Sequence, residues 1–180
     1  MSTLKQDRKA AFKLLDQSFR EEIIPILEDV EFQPTMFSTH RFGMDGHLEY
    51  NFVSLQNSLT LDLLRFVFDD VGLSILAYDN RIRLSRNIYD LSFFEGKEGL
   101  EFHLMPFVST EKDIHRWVPI PFLWIPRLYK VKGDISEGAV QKSVDKVIAD
   151  LGGDLKYFEI IRSEWDREHK PLVLDVDTLT

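Results

Sequence analysis

The sequence predicts an α+β domain: an antiparallel sheet of about five or six strands, packed by an N-terminal helix and two C-terminal helices. Three observations carry that expectation. Apolar residues recur every three or four positions near both ends, and short alternating runs separated by turn residues fill the middle. The composition, 44% hydrophobic with 14 Phe among 180 residues, supplies a core. A disordered chain would be poor in aromatics, because it could not bury enough apolar surface to offset its conformational entropy. The length suits one domain, residues 1–180, and no repeat, low-complexity segment or long linker divides it.

Residues 4–30 read as the first helix. Phe12, Leu15, Phe19, Ile23, Leu27 and Val30 fall on one face, and Lys5, Arg8, Lys9, Asp16 and Glu22 fall on the other. Pro25 lacks a backbone donor and crowds the turn before it, so a kink or restart is expected there. Next comes a hairpin, residues 35–42 and 47–53, about an Asp45-Gly46 turn. One of its faces carries Phe37, Leu48, Tyr50 and Phe52. The other carries Ser38, His40, His47, Glu49 and Asn51, and is wet or functional.

Residues 59–71 fit either a helix closed by Gly72 or a strand. The alternation of Leu59, Leu61 and Leu63, resumed by Phe66 and Phe68 after a one-residue slip, favours a strand with a bulge. Residues 73–78 and 81–85 read as strands about an Asp79-Asn80 turn. A further pair, 91–94 and 100–107, flanks Gly96-Lys97-Glu98-Gly99. The stretch 117–126 holds Pro119, Pro121 and Pro126, which excludes a central strand or a helix and implies an extended connection. Val140, Val144, Val147 and Leu151 then form a helical stripe that Gly152-Gly153 is expected to end. Asp154 would cap a second helix carrying Leu155, Phe158, Ile161 and Trp165. An edge strand is expected over 171–176.

The formal net charge is −8. Duplex binders gain affinity by setting Lys and Arg against phosphates, so this balance argues against a general nucleic-acid binder. The densest basic stretch, Arg81, Arg83 and Arg86, reads as a solvated strand face. With no Cys, disulfides, thiolate zinc sites and cysteine nucleophiles are excluded, and a cytoplasmic location is expected. No apolar run nears the roughly 20 residues that span a bilayer.

No phosphate-binding glycine loop, nucleophile elbow or paired-histidine helix is present, and no cofactor is implied. His40 and His47 stand about four steps apart along the hairpin ladder, roughly 13 Å, too far to share one ion. Candidate proton-transfer residues are His40 with Glu49 and, on a later strand, Glu101 with His103. A carboxylate beside an imidazole can orient it, but no serine or threonine is spaced to act with them. Trp117 and Trp124 are the binding candidates, since tryptophan is enriched at interface hot spots and proline would hold their segment extended.

The N-terminal third holds Pro25-Ile26-Leu27, residues 37–42 with Arg41, and Asn51-Phe52-Val53-Ser54-Leu55-Gln56-Asn57-Ser58. In these elements the chain resembles a family of small bacterial domains of unknown function, similar to the immunity proteins that neutralise toxins. Where members usually carry Gly-Phe after the first helix, this chain has Glu31-Phe32. The resemblance implies a binding role. Two functions follow as expectations: an interaction or inhibitor domain for a basic protein partner, or an enzyme or small-ligand domain using the polar sheet face. A third, a structural subunit, would need an apolar patch buried between copies.

Overall fold

The computed structural model describes residues 2–35, 48–97, 112–113, 127–133, 135, 139–156 and 172–180. The N-terminal segment is a helical rod with a widened middle turn: α1 (Ser2–Ser18), a π-helical turn (Phe19–Ile23) and α2 (Ile24–Asp29). The apolar residues explain the widening. Leu15, Phe19, Ile23 and Leu27 are all fully buried and spaced four apart. Each four-residue step over-rotates a 3.6-residue helix by about 40°, so three steps would carry Leu27 off the core. One wider turn absorbs that drift, and Pro25 opens the regular helix that restarts after it.

The rod ends in a Schellman turn. Phe32 N–H donates to Leu27 O at 2.9 Å and Glu31 N–H to Glu28 O at 3.0 Å. Glu31 stands at the left-handed position with φ 65°, and Phe32 beyond it is buried. The left-handed position suits glycine, because a side chain there crowds its own carbonyl.

The sheet is built on three long strands, β2 (Leu48–Asn57), β3 (Thr60–Asp69) and β4 (Ser74–Leu84), in antiparallel order. A short β1 (Gln33–Pro34) lies outside β2. The far edge of β4 is shared by three short strands. β6 (Arg127–Lys130) pairs residues 74–77, β5 (Lys112–Asp113) pairs Tyr78 and Asp79, and β7 (Leu172–Leu174) pairs residues 82–84 in parallel. An α+β fold on a sheet of this kind is the predicted class. In the β3–β4 turn, a Cβ on Gly72 would lie 2.2 Å from Asp69 Oδ2, so a larger residue there would have to displace the Asp69 side chain.

Each long strand serves a core on one face and then a core on the other. Tyr50 and Phe52 in β2, Leu64, Phe66 and Phe68 in β3, and Ile75 and Ala77 in β4 belong to the core beneath the helices. Val53, Leu61, Leu63, Ile82 and Leu84 belong to a second core, closed by Ile88, Leu91 and Phe94 and by Leu174, Val176 and Leu179 of the tail. Side chains alternate across a strand, so these two sets lie on opposite faces. The covers sit at opposite ends of the strands.

This arrangement corrects two expectations. β3 is an uninterrupted strand, with every residue from Thr60 to Asp69 paired to β4, so the slip between Leu63 and Phe66 is no bulge. It marks where the buried side changes face. β4 likewise runs straight through Asp79-Asn80, which pair with Leu64 and Leu63, instead of turning there. Among the described residues, a register irregularity lies in β2, between Leu55 and Asn57.

Helix α3 (Ala139–Leu155) carries the expected stripe, Val140, Val144, Val147 and Leu151. It continues through Gly152-Gly153, so those glycines are not its cap and Asp154 starts no new helix. Gly152 is buried where α3 crosses the rod, its Cβ position 3.3 Å from Ile26 Cδ1. A glycine in a helix costs about 1 kcal/mol against alanine, which packing of this kind offsets. The rest of the stretch expected as a second C-terminal helix, the hairpin residues 36–47 and the segments 98–111 and 117–126 lie outside the described residues. No helix among the described residues is long and apolar enough to cross a membrane.

Residues 91–94, expected as a strand, form a 3-10 turn capped by Asp90, whose carboxylate accepts from Ser92 N–H at 2.7 Å. That bond holds the Asp90 carboxyl below its ordinary 3.8. A depressed folded-state value stabilises the fold above the ordinary value, and the gain is lost as pH falls through the lowered one. Asp90→Ala is therefore expected to lower the melting temperature at pH 7, with the gap to wild type closing in strong acid. A thermal melt of both proteins across that range checks it.

Candidate functional site

Where one face of the sheet is apolar, the reverse is polar, and two polar rows result. On the helix side, beyond the helices, Ser54, Asp62 and Arg81 are register partners across β2, β3 and β4. Asp62 is fully buried and accepts two hydrogen bonds from Arg81, from Nε at 2.7 Å and Nη2 at 3.2 Å. Arg81 is therefore a paired, mostly covered residue and not part of a solvated strand face. Arg83 and Arg86 are exposed as expected, with Arg86 donating to Asp177 at 2.9 Å.

On the opposite face, at the other end, the row is Thr35, Asn51 and Arg65. Thr35 N–H donates to Asn51 O, and Asn51 is the register partner of Arg65. Glu49, diagonal to Arg65, accepts from its Nη2 at 2.6 Å. Among the described residues five buried side-chain polar atoms lack a hydrogen-bond partner, and four are in this row: Thr35 Oγ1, Asn51 Oδ1 and Nδ2, and Arg65 Nε. Leaving such a group unpaired costs roughly 1–3 kcal/mol each. That is a large expense to gather in three adjacent residues.

Of the sequence-expected proton-transfer residues, Glu49 is described and sits in an ion pair with Arg65. His40, Glu101, His103, Trp117 and Trp124 lie outside the described residues. Asn51 was expected on the wet face; it is on that face but wholly buried. Arg65 was missed, although a charge inside the apolar run Leu63-Leu64-Arg65-Phe66-Val67-Phe68 was a visible signal.

A third polar group joins rod to sheet. Tyr50 donates its hydroxyl to Asp16, Asp16 accepts from Arg20 Nε at 3.2 Å, and the Arg20 guanidinium lies 5.1 Å from the Tyr50 ring centroid. Burial first, then the Asp16 hydrogen bond and charge, push the Tyr50 phenol up from 10.0, against the opposing pull of Arg20. The phenol stays protonated and acts as a clasp, not as a base.

The surface charge is uneven. From residue 21 to 35 there are five carboxylates, Glu21, Glu22, Glu28, Asp29 and Glu31, all exposed, and no Lys or Arg. Glu28, Asp29 and Glu31 crowd the C-terminal end of the rod, where the macrodipole favours cations. Asp150 and Asp154 stand near the C-terminal end of α3, whose last turn also has no basic residue. The Gly152–Ile26 contact brings these two helix ends together. Val30, 41% exposed, sits among the acids.

No family model, no curated protein and no solved structure matches this chain.

Proposed function

We propose that this chain is a protein-binding domain, an inhibitor-type module that meets a basic partner through the acidic corner at the ends of α2 and α3. The observation that supports the reading most is Glu31. Its carboxylate stands at a left-handed backbone position where glycine is favoured by about 1 kcal/mol. It also adds negative charge at a helix C-terminus, where each carboxylate costs roughly 0.3–1 kcal/mol. Glu28 and Asp29, both exposed, share that end of the rod, and Glu21 and Glu22 precede them in the widened turn. Local choices that work against stability are expected where function retains them. Complementary potential against a basic protein is such a function, since it speeds association and selects partners.

The test separates stability from binding. Glu31→Gly is expected to raise stability by about 1 kcal/mol in denaturant titration. The carboxamide variant Glu21→Gln/Glu22→Gln/Glu28→Gln/Asp29→Asn/Glu31→Gln is expected to melt no lower than wild type. Both proteins then serve as bait in a native lysate beside wild type, with captured proteins identified by mass. The expected result is one stoichiometric basic protein, retained by wild type, lost from the carboxamide variant and released by raised salt. Equal capture by both proteins, or capture that salt does not weaken, removes the reading. So does a carboxamide variant that melts well below wild type, because the acids would then be serving the fold.

A further inference from the structure

The Thr35–Asn51–Arg65 row carries a second inference, independent of the acidic corner. Four unpaired atoms lie side by side on neighbouring strands: a hydroxyl, an amide donor, an amide acceptor and a guanidinium N–H. Asn51 is fully buried and Thr35 is 8% exposed, so bulk solvent does not reach these groups. Glu49 and Arg65, whose side chains are 25% and 19% exposed, form the rim. They are joined by a single hydrogen bond from Nη2 to Oε1, which leaves the guanidinium able to pivot.

We propose that this row is a binding site for a small neutral ligand that presents a hydrogen-bond donor beside an acceptor, as a carboxamide or a lactam does. The side chain of Asn51 offers the complementary pair, Nδ2–H beside Oδ1, and such pairs dock edge to edge. Arg65 Nε–H adds a donor for the ligand's acceptor, and the Thr35 hydroxyl serves either sense. Charge decides against the alternatives. Glu49 balances Arg65, so an anion would meet a carboxylate at the rim and a cation would meet a guanidinium. Swinging the Glu49–Arg65 pair aside is the step that would admit the ligand to the row. Beyond the row, on one side, lie Val53 and Leu63 of the second core.

The experiment is a 15N NMR titration of the full chain, observing the Asn51 side-chain amide and the Arg65 Nε–H, the two groups assigned to the ligand. Nicotinamide is the carboxamide probe and uracil the lactam probe, with acetate and guanidinium as charged controls. Saturable shifts of both signals with nicotinamide or uracil, and none with the controls, are expected. Asn51→Leu is expected to melt at or above the wild-type temperature, because it replaces an unpaired polar group with an apolar one of similar size, and to abolish the response. Thr35→Val is expected to weaken binding roughly fivefold, the value of one hydrogen bond, and supplies the test should Asn51→Leu not fold. Saturation by acetate instead, or silence of both signals towards both neutral probes, overturns the proposal. An undiminished response in Asn51→Leu, or in Thr35→Val where it replaces it, overturns it too.

Discussion

Phe19→Ala is expected to cost about 3–5 kcal/mol, the largest loss from any single truncation of the rod. Phe19 is fully buried, stacked on Tyr50 with centroids 4.9 Å apart, and set edge-on to Phe66 at 5.0 Å and Phe68 at 5.2 Å. Those rings belong to two strands, so one side chain ties the rod to β2 and β3 together. Aromatic pairs of this geometry add about 0.5–1.5 kcal/mol beyond area burial. The site also collapses poorly, because three of the four rings belong to the rigid sheet. Removing Phe19 leaves a cavity under the widened turn that exists to aim it inward. In a domain of this size each kcal/mol moves the melting point by roughly 2–4 °C, so a fall on the order of 10 °C is expected. Urea unfolding of Phe19→Ala beside Phe19→Leu measures it. A loss below about 1 kcal/mol would show that the rod does not depend on this contact.

The helical rod was legible because a 3.6-residue repeat needs no knowledge of the rest of the fold. Its π-helical turn was legible only in part: the 4-4-4 spacing was present, but Pro25 drew attention to the kink and away from the widening that precedes it. The strands were legible as strands yet misread in length. A strand that is buried on one face and then on the other shifts its apolar phase by one residue midway. In sequence, that shift looks like a bulge at Leu63-Leu64 and like a turn at Asp79-Asn80. The three long strands share the shift: Phe52 to Val53, Leu63 to Leu64, and Ala77 to Ile82 by way of polar residues. The common phase shift of the three runs is the mark of two cores on opposite faces. Gly152-Gly153 misled for another reason. Glycine marks a helix end through its backbone and a helix crossing through its missing side chain, and a single sequence does not separate the two.

The candidate sites were less legible still. Asn51 could be put on a polar face, but its burial depends on what covers that face, and no local pattern carries that information. Arg65 and Asp62 were overlooked because a supposed bulge between them scrambled the register. With the register continuous, each falls opposite a polar partner, Asn51 and Arg81. The acidic corner was present as the last three of five carboxylates in eleven residues, Glu21 to Glu31. Its meaning needed the helix ends, because the same charges at a helix N-terminus would be ordinary.

The second large effect is expected at Asp62. Its carboxylate is fully buried and held at two points by Arg81, whose side chain is 13% exposed. Asp62→Ala is expected to cost about 3 kcal/mol, the lower part of the range for breaking a buried pair, because Arg81 keeps some access to water. Most of that loss comes from the guanidinium left behind. Arg81→Leu in the Asp62→Ala background should therefore cost less than Arg81→Leu alone, with a coupling near 2 kcal/mol in a double-mutant cycle by urea unfolding. Strictly additive losses would mean that the two side chains serve the fold separately. The pair also explains why a sheet with apolar residues on both faces adopts one register. A one-residue slip of β3 would carry Asp62 to the face of Val53 and Ile82, where a carboxylate meets an apolar core. Arg81 could not follow it, since its own alternation fixes it to the helix side of β4. Asp62 thus selects the register at which both cores close, and its loss is expected to broaden the unfolding transition as well as shift it.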